Sequence, residues 1–331
     1  MTPPRDRAPA PALPGVVASP ARRKFGFVLF GATLFLIFVG AEVKSRHAGL
    51  SVPDWPLSYG QVWPKMVGDV FYEHGHRTVA SAVGLLTLIL AIWTARTDSR
   101  MWVRNLGWVA LLAVILQGVL GGLTVLNLLP TPVSATHATL AQVFLCLVGW
   151  LAYAGTKEWN SPASADPVSA RVAFRACAFA LIAVFIQLLL GAWMRHSEAG
   201  LAVPFFPTSE SGSLLPQTVD ELVVIHMLHR GFAVIVLVLV LRAVASVARR
   251  LPEFGLHATL IASLVLIQVM LGALVIWEEK SPIITSIHVM NGAAVLAFTW
   301  LLTLRTWRCL APSSTSRVIG VDANRHAMEQ A

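Results

Sequence analysis

Long apolar segments separated by short polar connections recur along the whole chain. An apolar run of about 20 residues is long enough to cross the hydrocarbon core of a bilayer as a helix. The runs found in this way cover residues 25–43, 70–95, 103–126, 133–155, 172–194, 218–244, 255–277 and 283–305. The pattern predicts an all-α integral membrane protein with eight transmembrane helices.

The second half of the chain repeats the pattern of the first half. Residues 40–56 contain Gly-Ala, Ala-Gly-Leu, Val-Pro and Pro in an order and spacing that recur over residues 191–207, at an offset of 151. The same offset relates Gln117 to Gln268, Leu120-Gly121 to Leu271-Gly272 and His137 to His288, and an offset of 153 relates His76-Arg77 to His229-Arg230. Because each repeat holds an even number of helices, both halves have the same orientation in the membrane. The sequence therefore predicts two tandem, parallel-oriented four-helix bundles.

The repeat divides the chain into five predicted segments. They are a disordered cytosolic N-terminal tail (1–24), an N-terminal four-helix half (25–156), a cytosolic linker (157–171), a C-terminal four-helix half (172–306) and a cytosolic C-terminal tail (307–331). The first tail is rich in Pro, Ala and Arg, a composition that does not support a packed core.

Composition and charge agree with a membrane protein. Hydrophobic residues make up 56% of the chain and charged residues only 13%, whereas a soluble domain carries about 25% charged residues. The net charge of +8 does not indicate nucleic-acid binding, because the Lys and Arg residues lie beside apolar segments. They concentrate in alternate connections and in the tails, around residues 22–24, 96–104, 157–175, 242–250 and 305–325. By the positive-inside rule, these connections and both termini face the cytoplasm.

Four of the ten histidines occupy matched positions in the repeat: His76, His137, His229 and His288. An ionisable residue inside a membrane helix indicates a functional site. Each half has one of these histidines near the outer end of its second helix and one near the outer end of its fourth helix, at a similar depth. Two neutral imidazoles that face each other across a bundle can supply both axial ligands of a heme iron. The sequence therefore predicts one heme site in each half.

Two arginines directly follow two of these histidines. We expect Arg77 and Arg230 to pair with the propionates of the hemes. Other interpretations of the histidines remain open at this point. They could form only interhelical hydrogen bonds, or they could bind zinc, although neither half has enough Cys and carboxylate residues nearby to complete a tetrahedral site.

The two halves differ at one position beside the histidines. Glu73 precedes His76 by three residues and lies about one turn away on a similar helix face, whereas its partner in the second repeat is His226. A carboxylate at this depth is expensive unless it is paired or used. Glu73 could pair with Arg77 or orient His76, or it could handle protons or orient a substrate. The difference suggests that the N-terminal site performs chemistry and the C-terminal site carries electrons.

These residues resemble the heme A synthase family. The resemblance rests on Glu73-His74-Gly75-His76-Arg77, the loop 49–56, the loop 195–207 and the four matched histidines, and it covers about residues 25–305. Members of that family are bacterial inner-membrane enzymes that oxidise the C8 methyl group of heme O to a formyl group and so make heme A for cytochrome oxidase.

The resemblance also implies a role for each pair of histidines. His76 and His137, together with Glu73, would receive the substrate heme O. His229 and His288 would ligate a resident heme b that relays electrons from an unidentified donor. Delivery of heme O by the enzyme that makes it, and assembly as a homo-oligomer, are left open.

This chain departs from the family pattern in the first outer loop. Some members carry a cysteine pair there, whereas Val52 and Ser58 stand at those places here. Electron delivery or redox gating by such a thiol pair is therefore in doubt for this protein.

Two other functions are compatible with the same residues. A diheme b-type membrane protein that oxidises quinol would use the same histidine pairs without oxidising a methyl group. A transporter would also show internal repeats and intramembrane charges. The presence of Glu73 in only one half favours the enzyme.

Overall fold

The computed structural model describes residues 19–163 and 165–310 of the chain. Its helices are α1 Pro20–Ser45, α2 Asp69–Thr97, α3 Met101–Leu126, α4 Thr131–Ala154, α5 Lys157–Asn160, α6 Pro167–His196, α7 Glu221–Arg250, α8 Gly255–Trp277 and α9 Pro282–Arg308, with 3₁₀ turns at Ala199–Leu201 and Pro252–Phe254. Within these residues, eight helices, all except the short α5, are long and apolar enough to cross a membrane. The prediction of an all-α membrane protein with eight spans is confirmed.

The first helix begins before its apolar pattern does. Ser19 Oγ accepts a hydrogen bond from the N–H of Arg22, and Pro20 occupies the first helical turn, where its missing N–H costs nothing. The prediction of a disordered tail over 1–24 is therefore wrong for residues 20–24, which are helical. The part of that tail before Ser19 lies outside the described residues.

The segment predicted as a linker, 157–171, also contains helix. The short α5 lies at Lys157–Asn160, and α6 begins at Pro167. The carboxylate of Asp166 caps α6 by accepting a hydrogen bond from the N–H of Ser169 at 2.8 Å. The predicted boundary was too late because Arg171 and Arg175 interrupt the apolar pattern without interrupting the helix.

The last two boundaries shift in the same way. The sixth membrane helix, α7, continues to Arg250, beyond the predicted end at residue 244, and α9 continues to Arg308. Basic side chains are favourable in the last turn of a helix, where they face the unpaired carbonyl groups. The C-terminal tail predicted over 307–331 therefore overlaps α9, and its residues 311–331 lie outside the described part of the chain.

The eight long helices pack as two groups of four. Consecutive helices of α1–α4 are in contact and α1 closes onto α4, while α6–α9 repeat this arrangement with α6 closing onto α9. Helices α2 and α4 are therefore diagonal across the first group, as α7 and α9 are across the second. The groups meet where α1 and α4 pack against α6 and α9. The residues buried in that contact are Ile37, Leu145, Ala293 and Ala297.

Polar contacts join the two groups at the end of the molecule where α2, α4, α7 and α9 begin. Glu198, which follows α6, forms ion pairs with Lys44 at the end of α1 and with Lys280 before α9. Arg195 Nη2 donates a hydrogen bond to the carbonyl of Ala41 in α1 at 2.7 Å. These contacts fix the relative position of the two groups beside the candidate site.

Candidate functional site

The four repeat-matched histidines all lie near the starts of their helices, at the end of the molecule just described, which we call the histidine end. His76 of α2 and His137 of α4 are on diagonal helices of the first group, and His229 of α7 and His288 of α9 are on diagonal helices of the second. The structure thus places each pair on diagonal helices at one end of the molecule.

One ring nitrogen of each N-terminal imidazole has no hydrogen-bond partner among the described residues. These are the buried Nδ1 atoms of His76 and His137. Most buried polar atoms in proteins are hydrogen-bonded. Interhelical hydrogen bonding, one of the interpretations left open above, therefore does not account for these two atoms.

The C-terminal pair is surrounded by side-chain amides. Gln187 Nε2 lies 3.1 Å from His229 Nδ1 and donates to the carbonyl of His229 at 3.0 Å. Gln268 Nε2 lies 3.2 Å from His288 Nε2. Asn291 Nδ2 in turn donates to Gln268 Oε1 at 2.7 Å. These amides hold the two histidine side chains from neighbouring helices.

The sequence analysis did not identify two of these amide residues. At the repeat positions of Gln187 and Asn291, the N-terminal half has Leu36 and Leu140. Only Gln268 has a polar counterpart, Gln117. Gln187 and Asn291 could have been found as single amide residues in apolar spans, each matched by a leucine in the other repeat.

Glu73 is buried at the start of α2, with 3% of its surface exposed. Its Oε1 forms an ion pair with Arg77 Nη2 at 2.6 Å. Its Oε2 accepts hydrogen bonds from the N–H of Val52 at 2.8 Å and from Ser51 Oγ at 2.9 Å. The carboxylate therefore pairs with Arg77, as one of the two interpretations of Glu73 expected, and it also holds the first loop against α2.

Arg77 itself is directed at the first loop. Its Nη1 donates to the carbonyls of Asp54 at 2.7 Å and Leu57 at 2.9 Å, and its Nη2 donates to the carbonyl of Val52 at 3.2 Å. The guanidinium group thus binds the first loop through three of its backbone carbonyl groups.

The second half repeats this arrangement with an imidazole in place of the carboxylate. The N–H of Val203 lies 3.3 Å from His226 Nδ1, and Arg230 Nε lies 2.9 Å from His226 Nε2. A neutral imidazole accepts a hydrogen bond at one of these two nitrogens. Arg230 Nη2 donates to the carbonyl of Val203 at 2.8 Å. Each loop is therefore held by the same pair of positions on the following helix.

The first loop reaches into the N-terminal helix group through Trp55. A Cβ atom on Gly122 in α3 would lie 2.5 Å from Cδ2 of the Trp55 ring, so the indole packs directly on the backbone of that helix. Ser58 Oγ lies 2.8 Å from His74 Nδ1. Val52 and Ser58 are buried, and Arg77 lies at hydrogen-bond distance from both, at 3.2 Å from the Val52 carbonyl and 3.5 Å from Ser58 Oγ.

No cluster of three or more His, Cys, Asp or Glu side chains that could hold a metal ion occurs among residues 19–163 and 165–310. A structural zinc site takes four such ligands. Pairs of imidazoles on diagonal helices instead suit a metal that brings its own equatorial ligands.

The sequence matches a family model described as cytochrome oxidase assembly protein over residues 65–300. This range contains all four matched histidines, Glu73 and both arginines.

Curated relatives of similar length are named heme A synthase. The relative from Geobacillus kaustophilus is 29% identical over 287 residues, which are 84% of this chain and 90% of the relative. The relative from Symbiobacterium thermophilum is 32% identical over 66% of this chain and 73% of the relative. The relative from Shouchella clausii is 27% identical over the same shares of both chains.

Proposed function

The chain belongs to the COX15-CtaA family of cytochrome oxidase assembly proteins, and from this we propose that it is a heme A synthase, an oxidoreductase that converts the C8 methyl group of heme O into a formyl group. The observation that supports the proposal is that two diagonal helices of each four-helix group carry a matched histidine near their starts, within the range matched by the family. Heme A synthase is the name of the relatives that cover most of both chains.

The residues at both sites fit a heme. An iron porphyrin needs two axial ligands from the protein, and each group supplies two imidazoles on diagonal helices. In the N-terminal group the Nδ1 atoms of both imidazoles have no hydrogen bond with the described residues. Each of the four histidine rings packs against a glycine, at a place where a Cβ atom would be in close contact with the ring.

We assign the resident heme b to the C-terminal pair, His229 and His288. Gln187 and Gln268 hold these two side chains through their amides. Ligands that are held in place before binding lose less freedom when the cofactor binds, which favours a permanently bound group.

We assign the substrate heme O to the N-terminal pair, His76 and His137. Leucines 36 and 140 replace the two amides of the other half, so these ligands are held by fewer polar contacts. A site that must release its product benefits from such weaker preorganisation. Trp55 of the first loop packs on Gly122, next to the glycine that faces His137.

The heme supplies the iron and oxygen chemistry, and the protein positions and tunes the reacting groups. In our proposal, Glu73 keeps the loop and Arg77 in place and exchanges protons at its carboxylate during the reaction.

We propose that Arg77 and Arg230 also serve the heme propionates. Each follows a ligating histidine directly and is only partly buried. The hydrogen bonds of Arg230 with the described residues use Nε and Nη2, which leaves Nη1 available to a propionate. A guanidinium group can bind the loop and a carboxylate at the same time because it has five N–H donors.

The membrane arrangement follows from the charges. We propose that both termini face the cytoplasm and that the histidine end faces the outer side of a bacterial inner membrane, because the basic connections lie at the opposite end. Electrons would reach heme b from a donor that remains unidentified, and heme O would arrive from the enzyme that makes it or from the bilayer.

Pigment analysis of the purified protein tests this function. The protein is produced in a cell that makes heme O but lacks other heme A synthases, and its hemes are extracted and separated by chromatography. We expect heme b together with heme O or heme A. Heme b alone, with no heme A in the membranes, would support a diheme electron-transfer protein, which the comparisons do not favour, and a colourless preparation would support a transporter.

A further inference from the structure

One glycine lies against each of the four histidines. A Cβ atom built on Gly40 would lie 2.9 Å from Cε1 of His76, and one on Gly191 would lie 3.0 Å from Cε1 of His229. The corresponding distance is 3.3 Å both for Gly121 with His137 and for Gly272 with His288. In all four cases the nearest atoms to the built Cβ belong to the imidazole. These glycines thus leave space for a histidine side chain.

The arrangement is the same in both halves. Gly40 in α1 and Gly191 in α6 face the histidines of the following helices α2 and α7, and they are related by the repeat offset of 151. Gly121 in α3 and Gly272 in α8 face the histidines of α4 and α9 at the same offset. Each imidazole therefore packs against the backbone of a neighbouring helix.

The backbone gives no other reason for glycine at these positions. The described glycines with positive φ are Gly60, Gly68 and Gly212, so the four histidine-facing glycines have φ values that any residue adopts. Glycine in a helix interior is less favourable than alanine. Glycines at other helix contacts meet other groups, such as Ala152 at Gly26 and Phe30 at Gly149, whereas the nearest atoms at these four positions are all imidazole atoms. These contacts support space for the imidazole as the reason for glycine.

The contact also sets which edge of the ring packs on the neighbouring helix. Cε1 and Nδ1 face the glycine in all four cases, and Nε2 of His137, His229 and His288 lies beyond 4 Å of the built Cβ. In the C-terminal half, the side-chain amides of Gln187 and Gln268 lie 3.3 and 3.2 Å from Nε2 of His229 and His288. The glycine contact thus fixes the plane of the ring, which a metal ligand needs.

We propose that Gly40, Gly121, Gly191 and Gly272 are positioning residues that fix the ring planes of the four heme ligands. The proposal rests on the proposed function, because it assumes that the histidines bind heme iron. The four glycines would act on the heme only indirectly, through the orientation of the histidine ring that each of them contacts.

The C-terminal site is tested in the purified protein with its resident heme. Gly191→Ala shifts the His229 ring by a few tenths of an ångström, because 3.0 Å is tighter than nine in ten real Cβ contacts. We expect heme retention about tenfold weaker than in wild type and altered low-spin electron paramagnetic resonance signals. Gly272→Ala, at 3.3 Å, should change both in the same direction but less.

The N-terminal site is tested by titration with ferric protoporphyrin IX, monitored by its absorption spectrum. Gly40→Ala should weaken binding more than Gly121→Ala, because the built Cβ atoms lie at 2.9 and 3.3 Å from the ring. The matched controls are Gly31→Ala in α1, Gly118→Ala in α3 and Gly231→Ala in α7, where nothing lies within 4 Å of the added carbon. These controls should keep wild-type binding and signals, since alanine is the better helix former.

The outcomes separate this proposal from the proposed function. A coloured wild-type protein whose Gly191→Ala and Gly40→Ala variants fold, bind heme and give wild-type signals overturns the positioning role alone. A colourless wild-type protein overturns the function on which the role rests. If Gly191→Ala does not fold, as judged by size-exclusion chromatography, the milder Gly272→Ala variant decides, and unchanged signals there overturn the proposal.

Discussion

Glu73 and His226 hold the two covering loops by the same contacts, although one is a carboxylate and the other an imidazole. The backbone N–H of a repeat-matched valine, Val52 or Val203, lies at hydrogen-bond distance from each side chain. The arginine one turn later lies at hydrogen-bond distance from each side chain as well. This position therefore holds a loop in both halves. The carboxylate adds a group that can exchange protons in the N-terminal half only.

The substitution Glu73→Gln separates these two roles. Glutamine can still accept the hydrogen bond from Val52, but it cannot ionise. If Glu73 handles protons, heme A formation should fall at least about a hundredfold while heme b is retained. Heme A yield and the heme b spectrum measure the two effects in the same preparation.

Glu73→Ala serves as the comparison, because it removes both roles. Loss of heme A formation in Glu73→Ala with near-normal activity in Glu73→Gln would leave only the loop-holding role. Full activity in Glu73→Ala would remove Glu73 from the site altogether.

The two histidine pairs should respond differently to truncation. His229→Ala removes an axial ligand of the resident heme, so we expect a purified protein without the heme b spectrum. His76→Ala should retain heme b and lose heme A formation, because it removes a ligand of the substrate. Loss of heme b in both variants, or in neither, would contradict the assignment of the two sites.

The helices and the histidine pairs could be predicted from the sequence because their signals are local or repeated. A span of apolar residues needs no knowledge of its neighbours. His137 and His288 stand out because the same residue recurs at a fixed offset. Matched residues in an otherwise diverged repeat identify positions that both halves need.

The contacts around the histidines could not be predicted, because they join residues far apart in the chain. Gly40 lies on a different helix from His76, and although its match to Gly191 marks a repeated position, the sequence does not show which side chain it faces. Gln187 differs from its repeat partner Leu36 and so is invisible to a search for matched residues. The start of α1 was missed for another reason, since the Ser19-Pro20 cap was present but the apolar pattern was given more weight.

The stability of the fold should depend on pH through Asp98, at the end opposite the histidines. Burial alone would raise the pKa of this carboxyl group, but hydrogen bonds from Arg100 and Arg22 outweigh it and lower the pKa to about 2. Because the folded pKa lies below the unfolded value of about 4, the stabilisation is complete above pH 4 and is lost as the pH falls towards 2. The shift corresponds to about 2–3 kcal/mol.

Unfolding in a denaturing detergent, followed at several pH values, measures this effect. The Asp98→Asn variant should lack the change between pH 4 and pH 2 and should be less stable at neutral pH, because Arg22 is buried and loses its partner. An identical pH profile in the variant would assign the acid sensitivity to other carboxyl groups.

The three cysteines should be dispensable for activity. Cys146, Cys177 and Cys309 are free thiols in α4, in α6 and after α9, and the described loops at the histidine end contain no cysteine. The triple alanine variant should form heme A within about twofold of wild type and lose roughly 1–2 kcal/mol of stability through the cavities left in the core. Loss of heme A formation with intact heme b would instead reveal a redox role for one of these thiols.

The residence of heme b should depend on Gln187. The substitution Gln187→Leu copies Leu36 of the other half and removes the amide that donates to the His229 carbonyl and lies beside its ring. One hydrogen bond of this kind contributes about 1 kcal/mol, so heme b should dissociate about fivefold more readily during detergent washing. The reciprocal variant, Leu36→Gln, changes the matched position of the substrate site and should leave heme b retention at the wild-type value. Equal retention in Gln187→Leu and wild type would mean that the amides do not distinguish the resident site from the substrate site, and the cause of that difference would then lie in the loops.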